Sequence, residues 1–552
     1  MKKIFKAMFI APIVAAPTLS ICACGKNQNA LYEELKNTMI SNFMEWCKHP
    51  HPTYYWGPLN KWLTEWAESK GYTVTRDNYY KAQAQTEWPN EYKNYYGNIW
   101  FDVPATAGYE AYPKTILQAH MDMVFEDGDH HYDPKTTIIK PYIDKQNNTM
   151  TTEGQETSLG ADDGAGGCMA LSLISNPRVA HGPLRILFTA DEEDGLLGAK
   201  YMMDNDQNLG LLDGVKYFIN IDGEEEGYVV HSSGGIRYFW YGLKTGDEAK
   251  VSTIDSSCTK TVTINCNGLR GGHSAGNIIQ HANALKCLLD VIDTSGLADT
   301  DGTFQLVSVT TNTQVVNTIP TNVTIQFATS AANAEAKITS AINATINKWK
   351  GLCPDDKDIS ITAAYGTPST STKALTSEFS KTLFNFMNWF DFGVLEWLVE
   401  NKTPKSSQNI GPLTLDCTQS NITNVLKFGS SSRSCVQTKL EEFEAANIAK
   451  ANECFGDDHY DLFGSAPPYE PVEVNPLRDF IEEGFRKAGI EPFSYDEHGG
   501  LEISYFSRMD TNLNITSIGP TLRDCHNHKE TLYLDTIIPT FKAIVYALKL
   551  LK

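Results

Sequence analysis

The sequence has no closely spaced pair such as CxxC among the ten cysteines that follow Cys24, and it has far fewer basic than acidic residues. Without such a pair, a structural zinc site built from thiolates is disfavoured. The chain has 46 lysines and arginines against 67 aspartates and glutamates, which gives a formal net charge of −21. Because a chain with this charge lacks a basic surface for phosphates, nucleic acid is excluded as a partner.

The N-terminus has a basic and then an apolar segment. Three lysines precede an apolar run, residues 7–23, which two prolines interrupt. This pattern is typical of a signal peptide, and we predict that residues 1–23 form one. The run ends in ICAC, which resembles a bacterial lipobox with Cys24 as the lipidated residue. We therefore expect an exported lipoprotein at the cell surface or periplasmic face, touching the membrane only through its lipid, or otherwise a secreted protein.

Strand and helix patterns alternate along the first part of the chain, residues 25–230. Short apolar runs such as 99–103 and 185–189 indicate strands, and the glycine-rich segment 164–175 indicates a helix between two of them. This alternation predicts an α/β domain with a mostly parallel sheet, in which sites form at the carboxyl ends of strands. Threonine- and valine-rich alternating strands over residues 231–468 predict an inserted α+β domain, after which residues 469–552 complete the first domain.

Acids and histidines are concentrated in a few apolar or glycine-rich stretches. These are LQAHMD at 117–122, SLGADDGAG at 158–166, ILFTADEEDG at 186–195, FINIDG at 218–223 and GPTLRDCHNH at 519–528. Residues two apart on a strand share a face, so His120 can bind a metal ion while Asp122 orients its ring. Each stretch alone has an ordinary explanation, such as a helix cap at Asp162 and Asp163. Together, at the strand ends of one sheet, they offer the carboxylate and imidazole ligands that suit two zinc-like ions.

Eight segments resemble the co-catalytic di-zinc peptidases of the aminoacylase and glutamate carboxypeptidase superfamily, and within it the aminoacylhistidine dipeptidases. They are WCKHPHPTYY (46–55), VPATAGYEAYPKTILQAHMDMV (103–124), KPYID (140–144), TSLGADDGAG (157–166), NIDGEEEG (220–227), GLRGGHSAG (268–276), HGGLE (498–502) and IGPTLRDCH (518–526). The resemblance implies that residues 25–230 and 469–552 form a mostly parallel α/β catalytic domain. It also implies that residues 231–468 form an α+β lid and dimerisation domain. Two Zn²⁺ ions, or other divalent ions such as Co²⁺ or Mn²⁺, small peptide substrates and a homodimer are expected as well.

The resemblance assigns two metal sites that share one carboxylate. Their ligands are His120, Asp162 and Asp222 for one zinc ion, and Asp162, Glu193 and His526 for the other. Glu192 is then the general base that takes a proton from the water shared by the metals, and Asp122 steadies the ring of His120. A cis peptide bond is expected after Asp162. The second histidine of the HNHK segment leaves His528 as an alternative ligand to His526.

The resemblance also implies substrate contacts beyond the metal ligands. These are His273, Asn317, Arg433, His498 and Glu502. His273 has a catalytic role in assisting the oxyanion, and Arg433 can clamp a peptide carboxylate through two hydrogen bonds. The expected activity is hydrolysis of dipeptides or small peptides of the Xaa-His type. An N-acyl amino acid amidohydrolase with the same metals and a peptide-binding lipoprotein without turnover are the alternatives.

Overall fold

The computed structural model describes residues 19–79, 89–205, 209–298, 302–399 and 402–552. Most of the predicted signal peptide, residues 1–18, lies outside them. The α-helices, numbered in chain order, are α1 Leu19–Trp46, α2 Gly57–Ser69, α3 Ala161–Ser175, α4 Leu197–Asp204, α5 Ala284–Ser295, α6 Ala334–Leu352, α7 Ser377–Trp389, α8 Gln437–Phe455, α9 Pro476–Ala488, α10 Ile503–Met509 and α11 Ile537–Leu548.

The strands fall into several sheets of different size. In chain order they are β1 Val74–Arg76, β2 Ile99–Val103, β3 Lys114–His120, β4 Pro141–Asp144, β5 Thr149–Thr152, β6 Leu184–Thr189, β7 Val215–Asn220, β8 Tyr228–Ser233, β9 Gly235–Gly242, β10 Val251–Thr253, β11 Lys260–Asn267, β12 Gly272–His273, β13 Phe304–Thr311, β14 Thr318–Ile319, β15 Val323–Thr329, β16 Ser360–Gly366, β17 Lys373–Leu375, β18 Gly393–Val399, β19 Thr403–Asp416, β20 Leu426–Ser434, β21 Tyr460–Ala466, β22 Phe493–Glu497, β23 Asn514–Ser517, β24 Leu522–Arg523 and β25 Thr531–Tyr533.

The first large sheet has six strands in the order β1-β2-β6-β3-β7-β23. The pairs β3–β6, β3–β7 and β7–β23 are parallel, whereas β1–β2 and β2–β6 are antiparallel. Its last strand, β23, comes from near the C-terminus, so the end of the chain completes a sheet that the first part began. The predicted α/β class, with a mostly parallel sheet, is confirmed.

Both faces of this sheet carry apolar side chains that pack against helices. On β3, Leu117 and Ala119 belong to a core shared with α1, α2, α3, α9 and α11. Ile116 instead packs in a second core with side chains of α4 and α10. Since successive side chains of a strand point to opposite faces, this division places the sheet between two helical layers. Because the sheet is buried between these layers, the ends of its strands are held in fixed positions relative to one another.

The second large sheet has nine strands in the order β16-β11-β15-β13-β19-β20-β9-β21, with β18 paired to β19. All its pairings are antiparallel, and its strands lie between Gly235 and Ala466. Helices α5, α6, α7 and α8 cover it with a separate apolar core. This arrangement agrees with an insertion over residues 231–468, although the domain boundaries themselves stay a prediction.

Candidate metal centre and active site

The candidate metal centre lies where neighbouring parallel strands of the first sheet end. Strand β3 ends at His120, residues 190–193 follow β6, and Asp222 follows β7. Helix α3 packs against them with Asp162 in its first turn. A Cβ on Gly166 of this helix would lie 2.2 Å from the Ile221 carbonyl oxygen, so glycine there permits the close approach. The carboxyl ends of adjacent parallel strands open at one edge, which is why these distant residues meet.

Three groups of potential metal ligands among the described residues include Asp162, and two of them consist of the predicted ligands. In the first group, His120 Nε2 lies 3.2 Å from Asp162 Oδ1 and 3.6 Å from Asp222 Oδ1. In the second, His526 Nε2 lies 3.1 Å from Asp162 Oδ2 and 2.8 Å from Glu193 Oε2. Asp162 thus turns a different oxygen to each group. The structure brings together all five residues predicted as metal ligands, and the Asp162–Asp163 peptide bond is cis, as expected.

The charges at this centre fit bound cations. Burial and neighbouring charges raise the pKa of Glu193 to about 7, while the two histidines lower the pKa of Asp162 against the effect of its burial. Burial lowers the pKa of His526, but Asp162 and Glu193 outweigh this and raise it to about 11. In the described part of the chain, the buried Glu193 Oε1 has no hydrogen-bond partner. A buried acceptor beside several carboxylates is compensated when a divalent cation binds, and this donor set suits zinc.

Asp122 supports both the first ligand group and the loop after β6. The ring of His120 bonds through Nδ1 to the main-chain oxygen of Asp122 at 2.9 Å, whereas the carboxylate lies 3.7 Å away. That carboxylate accepts from the backbone N–H groups of Glu192 at 3.0 Å and Glu193 at 3.4 Å. Asp122 therefore orients the imidazole through its backbone and holds the two glutamates through its side chain.

Glu192 lies beside the first ligand group. Its Oε2 is 4.0 Å from His120 Nε2, and its side chain is largely buried. Burial raises the pKa of Glu192 well above its usual range, against the opposing charge of His120. A carboxylate with a raised pKa beside a metal centre is suited to accept and return a proton.

Glu530 is a supporting residue that the sequence interpretation missed. It is 2 % exposed, and its two oxygens accept four backbone N–H groups of the turn before Asp162. Oε2 accepts from Leu159 and Gly160, and Oε1 accepts from Ala161 and Asp162. No local pattern marks this residue, because its partners lie about 370 positions earlier in the chain. Glu530 fixes the turn that carries the shared carboxylate.

We expect Glu530→Gln to weaken zinc binding by about 10–100-fold, as losses of groups that orient metal ligands do. Whichever oxygen becomes an NH₂ group, two backbone N–H donors lose their acceptor and face another donor. Competition with a chelating dye measures the affinity, and Asp535→Asn, an exposed acid five positions further on, is the matched control. Unchanged zinc affinity in Glu530→Gln would show that the turn holds its shape without this clamp.

Asp191 is a second residue to which the sequence interpretation gave no role. It is buried, it adopts a positive φ of 51°, and it precedes Glu192. Its carboxylate accepts from the Tyr54 backbone N–H, the Trp56 indole and the Tyr79 hydroxyl. These contacts attach the loop of the two glutamates to the segment after α1. The acid-rich run 191–194 gave no sign of which acid faces inward, since that depends on aromatic residues more than 100 positions away.

Three of the predicted substrate contacts lie on or beside strands of the inserted region, since His273 and Arg433 are strand residues and Asn317 immediately precedes β14. His273 ends β12, and the backbone N–H of Ser274 donates to the Asn317 carbonyl oxygen at 2.7 Å. Arg433 is buried on β20 and donates from Nη2 to the Tyr238 hydroxyl at 2.9 Å. Desolvation and the charges of Arg433 and His526 lower the pKa of His273 to about 4.

His498 and Glu502 follow β22 and complete the predicted substrate contacts. His498 Nε2 lies 2.7 Å from the Ser407 hydroxyl oxygen, and burial with the Arg433 charge lowers its pKa to about 3. Glu502 is fully buried and accepts from Gln118 at 2.6 Å and Thr189 at 2.7 Å. Glu502 therefore lies below the ends of β3 and β6, on the interior side of the candidate metal centre.

His528 is separated from both ligand groups. Its backbone N–H and its Nδ1 both bond to Glu126 Oε2, at 2.6 Å and 2.7 Å. His526, not His528, has the Asp162 and Glu193 carboxylates beside it. A different candidate group joins Asp162, Glu224 and Cys525. Cys525, His526 and His528 therefore have different surroundings, although they lie within four residues of one another.

Comparisons with known proteins identify the family. The model of the M20/M25/M40 peptidase family matches residues 116–550. The chain belongs to this peptidase family. A curated relative, the cytosol non-specific dipeptidase of Escherichia coli (strain K12), is 27% identical over 503 residues, covering 90% of this chain and 93% of that protein. The solved structure of aminoacylhistidine dipeptidase from Vibrio alginolyticus matches with a TM-score of 0.74 and 24% identity, covering 93% of this chain and 96% of that one. The resemblance stated from the sequence is confirmed, and this M20 peptidase is a metallopeptidase.

The predicted export is contradicted by these comparisons. The E. coli relative, which aligns along almost its whole length with this M20 peptidase, is named as a cytosolic enzyme. The predicted lipoprotein cleavage point before Cys24 also falls within α1, which continues without interruption to Trp46. A basic and then apolar stretch that enters a helix imitates a leader in composition, and this is why the prediction was wrong. Within the residues described, no helix is both long and apolar enough to span a bilayer.

Proposed function

We propose that this M20 peptidase is a di-zinc dipeptidase of the Xaa-His type, with Glu192 as its general base. The observation that carries the proposal is the arrangement at Asp162, whose two oxygens face separate groups of histidine and carboxylate ligands. His120 and Asp222 would hold one ion with Asp162, and Glu193 and His526 would hold the other. The names of the E. coli and Vibrio relatives support dipeptides as the substrate class.

The protein residues divide the work of hydrolysis between proton transfer and positioning. Two zinc ions, when bound, would polarise the scissile carbonyl and lower the pKa of the attacking water. Glu192 takes a proton from that water while the water oxygen forms a bond to the carbonyl carbon. As the C–N bond breaks, Glu192 delivers the proton to the leaving amine nitrogen, so the reaction needs no covalent intermediate. The Asp122 carboxylate keeps Glu192 at the reacting centre through the backbone.

His273 is suited to donate a hydrogen bond to the oxyanion. The backbone N–H of Ala275 donates to His273 Nδ1 at 3.3 Å, which makes Nδ1 the acceptor of this ring. In a neutral imidazole the proton then resides on Nε2. That N–H is the group we propose to stabilise the negative oxygen of the tetrahedral intermediate.

Arg433 is suited to bind the carboxylate end of a dipeptide. In the described part of the chain its buried Nε and Nη1 have no hydrogen-bond partner, although Nη2 bonds to Tyr238. Unpaired buried donors of a guanidinium cost free energy that a substrate carboxylate recovers through two parallel hydrogen bonds, one from the second hydrogen of Nη2 and one from Nε or Nη1. Asn317 and His498 would border the same end of the substrate, and Glu502 would support the centre from below.

The lid over residues 231–468 and the homodimer are also part of the proposal. The lid would bring His273 toward the metal centre, and the homodimer would hold the lid in place. Sedimentation of the purified protein gives its oligomeric state directly.

We expect zinc-loaded protein to hydrolyse an Xaa-His dipeptide, and a chelator to abolish this activity until zinc is restored. The assay compares Ala-His with N-acetylhistidine, which has a terminal carboxylate but no free α-amino group. Cleavage of the acetyl substrate alone would make the chain an N-acyl amino acid amidohydrolase. If neither compound is hydrolysed while zinc stays bound, the chain is a peptide-binding protein without turnover.

A further inference from the structure

A cavity of about 290 Å³ opens beside Asp222 and is separate from the Arg433 end of the site. Its lining combines acids with apolar and aromatic side chains. Glu224, Glu225 and Glu497 supply carboxylates, and Tyr228, Tyr495, Val230 and Leu501 supply the walls. The same Glu224 belongs to a ligand group with Asp162 and Cys525, so the cavity borders the reacting centre. A side chain of a peptide bound at that centre would therefore reach this cavity.

The negative charge of this cavity is only partly neutralised by the protein. Arg523 lies in the lining and pairs with Glu225. Among the ion pairs of the described residues with lysine or arginine, none includes Glu224 or Glu497. Glu497 accepts from the Gly499 backbone N–H at 2.6 Å through Oε1, which fixes the carboxylate without adding a positive charge. Glu224 and Glu497 thus have no lysine or arginine partner in the described part of the chain, although the charge of His526 acts on Glu224.

Ser517 gives independent evidence that the cavity is built for a polar ligand. It lies at the end of β23, it is 0 % exposed, and it lines the cavity. Its hydroxyl oxygen has no hydrogen-bond partner in the part of the chain that the structure describes. Buried hydroxyl groups are normally paired, and an unpaired one that lines a cavity points to a polar group of a ligand.

We propose that this cavity binds the basic side chain of a lysine or arginine residue in the peptide substrate. The methylene stem would lie against Val230 and Leu501 and the two tyrosine rings, while the charged head would meet Glu224, Glu497 and the Ser517 hydroxyl. A neutral chain of the same length would displace water from these carboxylates and offer them no opposite charge. This assignment rests on the proposed peptidase function and specifies which peptides it prefers.

The test compares lysine with norleucine, which has a similar unbranched stem without the charge. We expect kcat/KM for Lys-His or His-Lys to exceed that of the matching norleucine dipeptide by at least about tenfold. Glu497→Gln should lower this ratio about tenfold, with zinc content unchanged. Glu491→Gln, an acid on the preceding turn with 84% of its side chain exposed, should leave the ratio as it is.

Equal kcat/KM values for lysine and norleucine in both dipeptide orders would overturn the assignment, as would an unchanged ratio in Glu497→Gln or loss of zinc from that variant. Ser517→Ala provides a second variant, expected to lower the ratio a few-fold, in case Glu497→Gln does not fold. If the protein hydrolyses no dipeptide, the peptidase proposal fails, and the cavity is then tested alone by calorimetry. Tighter binding of lysinamide than of norleucinamide supports the cavity, and equal affinity refutes it.

Discussion

Replacing Glu192 with glutamine is expected to lower kcat by about 10²–10⁴-fold while both zinc ions stay bound. Glutamine has nearly the same shape as glutamate, so the loop that Asp122 holds should keep its position. What is lost is the group that accepts a proton from the attacking water and returns it to the amine. Steady-state hydrolysis of Ala-His, together with the zinc content of the purified variant, measures both parts of the expectation.

Glu68→Gln is the matched control, because Glu68 is exposed on α2 and the same change there should leave kcat as it is. A Glu192→Gln variant with full activity and full zinc would exclude this residue as the general base. Activity lost together with zinc would instead make Glu192 a metal ligand. This second outcome matters because His120, Glu192 and Glu193 also form a group that could hold a metal ion.

Replacing Asp162 with asparagine is expected to have the largest effect, with kcat/KM lowered by about 10³-fold or more and zinc lost from both groups. The variant removes one charged oxygen, and the amide that replaces it cannot bridge two cations equally. Losing several kcal/mol of charge stabilisation at the transition state corresponds to roughly a thousandfold in rate. The measurement is zinc per chain by elemental analysis, with hydrolysis of Ala-His in parallel.

Asp213→Asn, an exposed acid just before β7, is the control for Asp162→Asn and should bind zinc like the wild type. If Asp162→Asn keeps two zinc ions per chain, the carboxylate is not shared between them. If it keeps one tightly bound ion, only one of the two groups depends on Asp162.

The convergence of the residues in the candidate metal centre could be predicted from the sequence because these residues follow recognisable strands. His120 and Asp222 come at or just after strand ends, and a strand end in a parallel sheet has a known place in the fold. The resemblance then supplied the role of each residue. Glu530 and Asp191 could not be predicted in this way, because their partners are backbone groups and aromatic side chains distant in the chain.

The nine-stranded sheet was predicted only in part. Strand β19 carries Pro404 and Pro412, and prolines argue against a strand with neighbours on both sides. The structure accommodates Pro412 at a register shift between Ile410 and Leu413, where the pairing with β20 is interrupted. At the N-terminus the sequence predicted a signal peptide over residues 1–23, whereas residues 19–23 of that segment belong to helix α1.

The cavity beside Asp222 also lay beyond sequence interpretation. Its acids come from two segments, residues 222–225 and Glu497, that only the parallel pairing of β8 with β22 brings together. The NIDGEEEG run gave no reason to separate acids that face metal from acids that face substrate. That separation depends on the arginine at position 523, which pairs with Glu225 and leaves Glu224 without a lysine or arginine partner among the described residues.

Anomalous diffraction from crystals of the zinc-loaded protein shows directly whether two ions share Asp162. Two zinc peaks are expected, one on each side of Asp162, with the first also near His120 and Asp222 and the second near Glu193 and His526. A single peak, or two peaks that do not both contact Asp162, would contradict this arrangement.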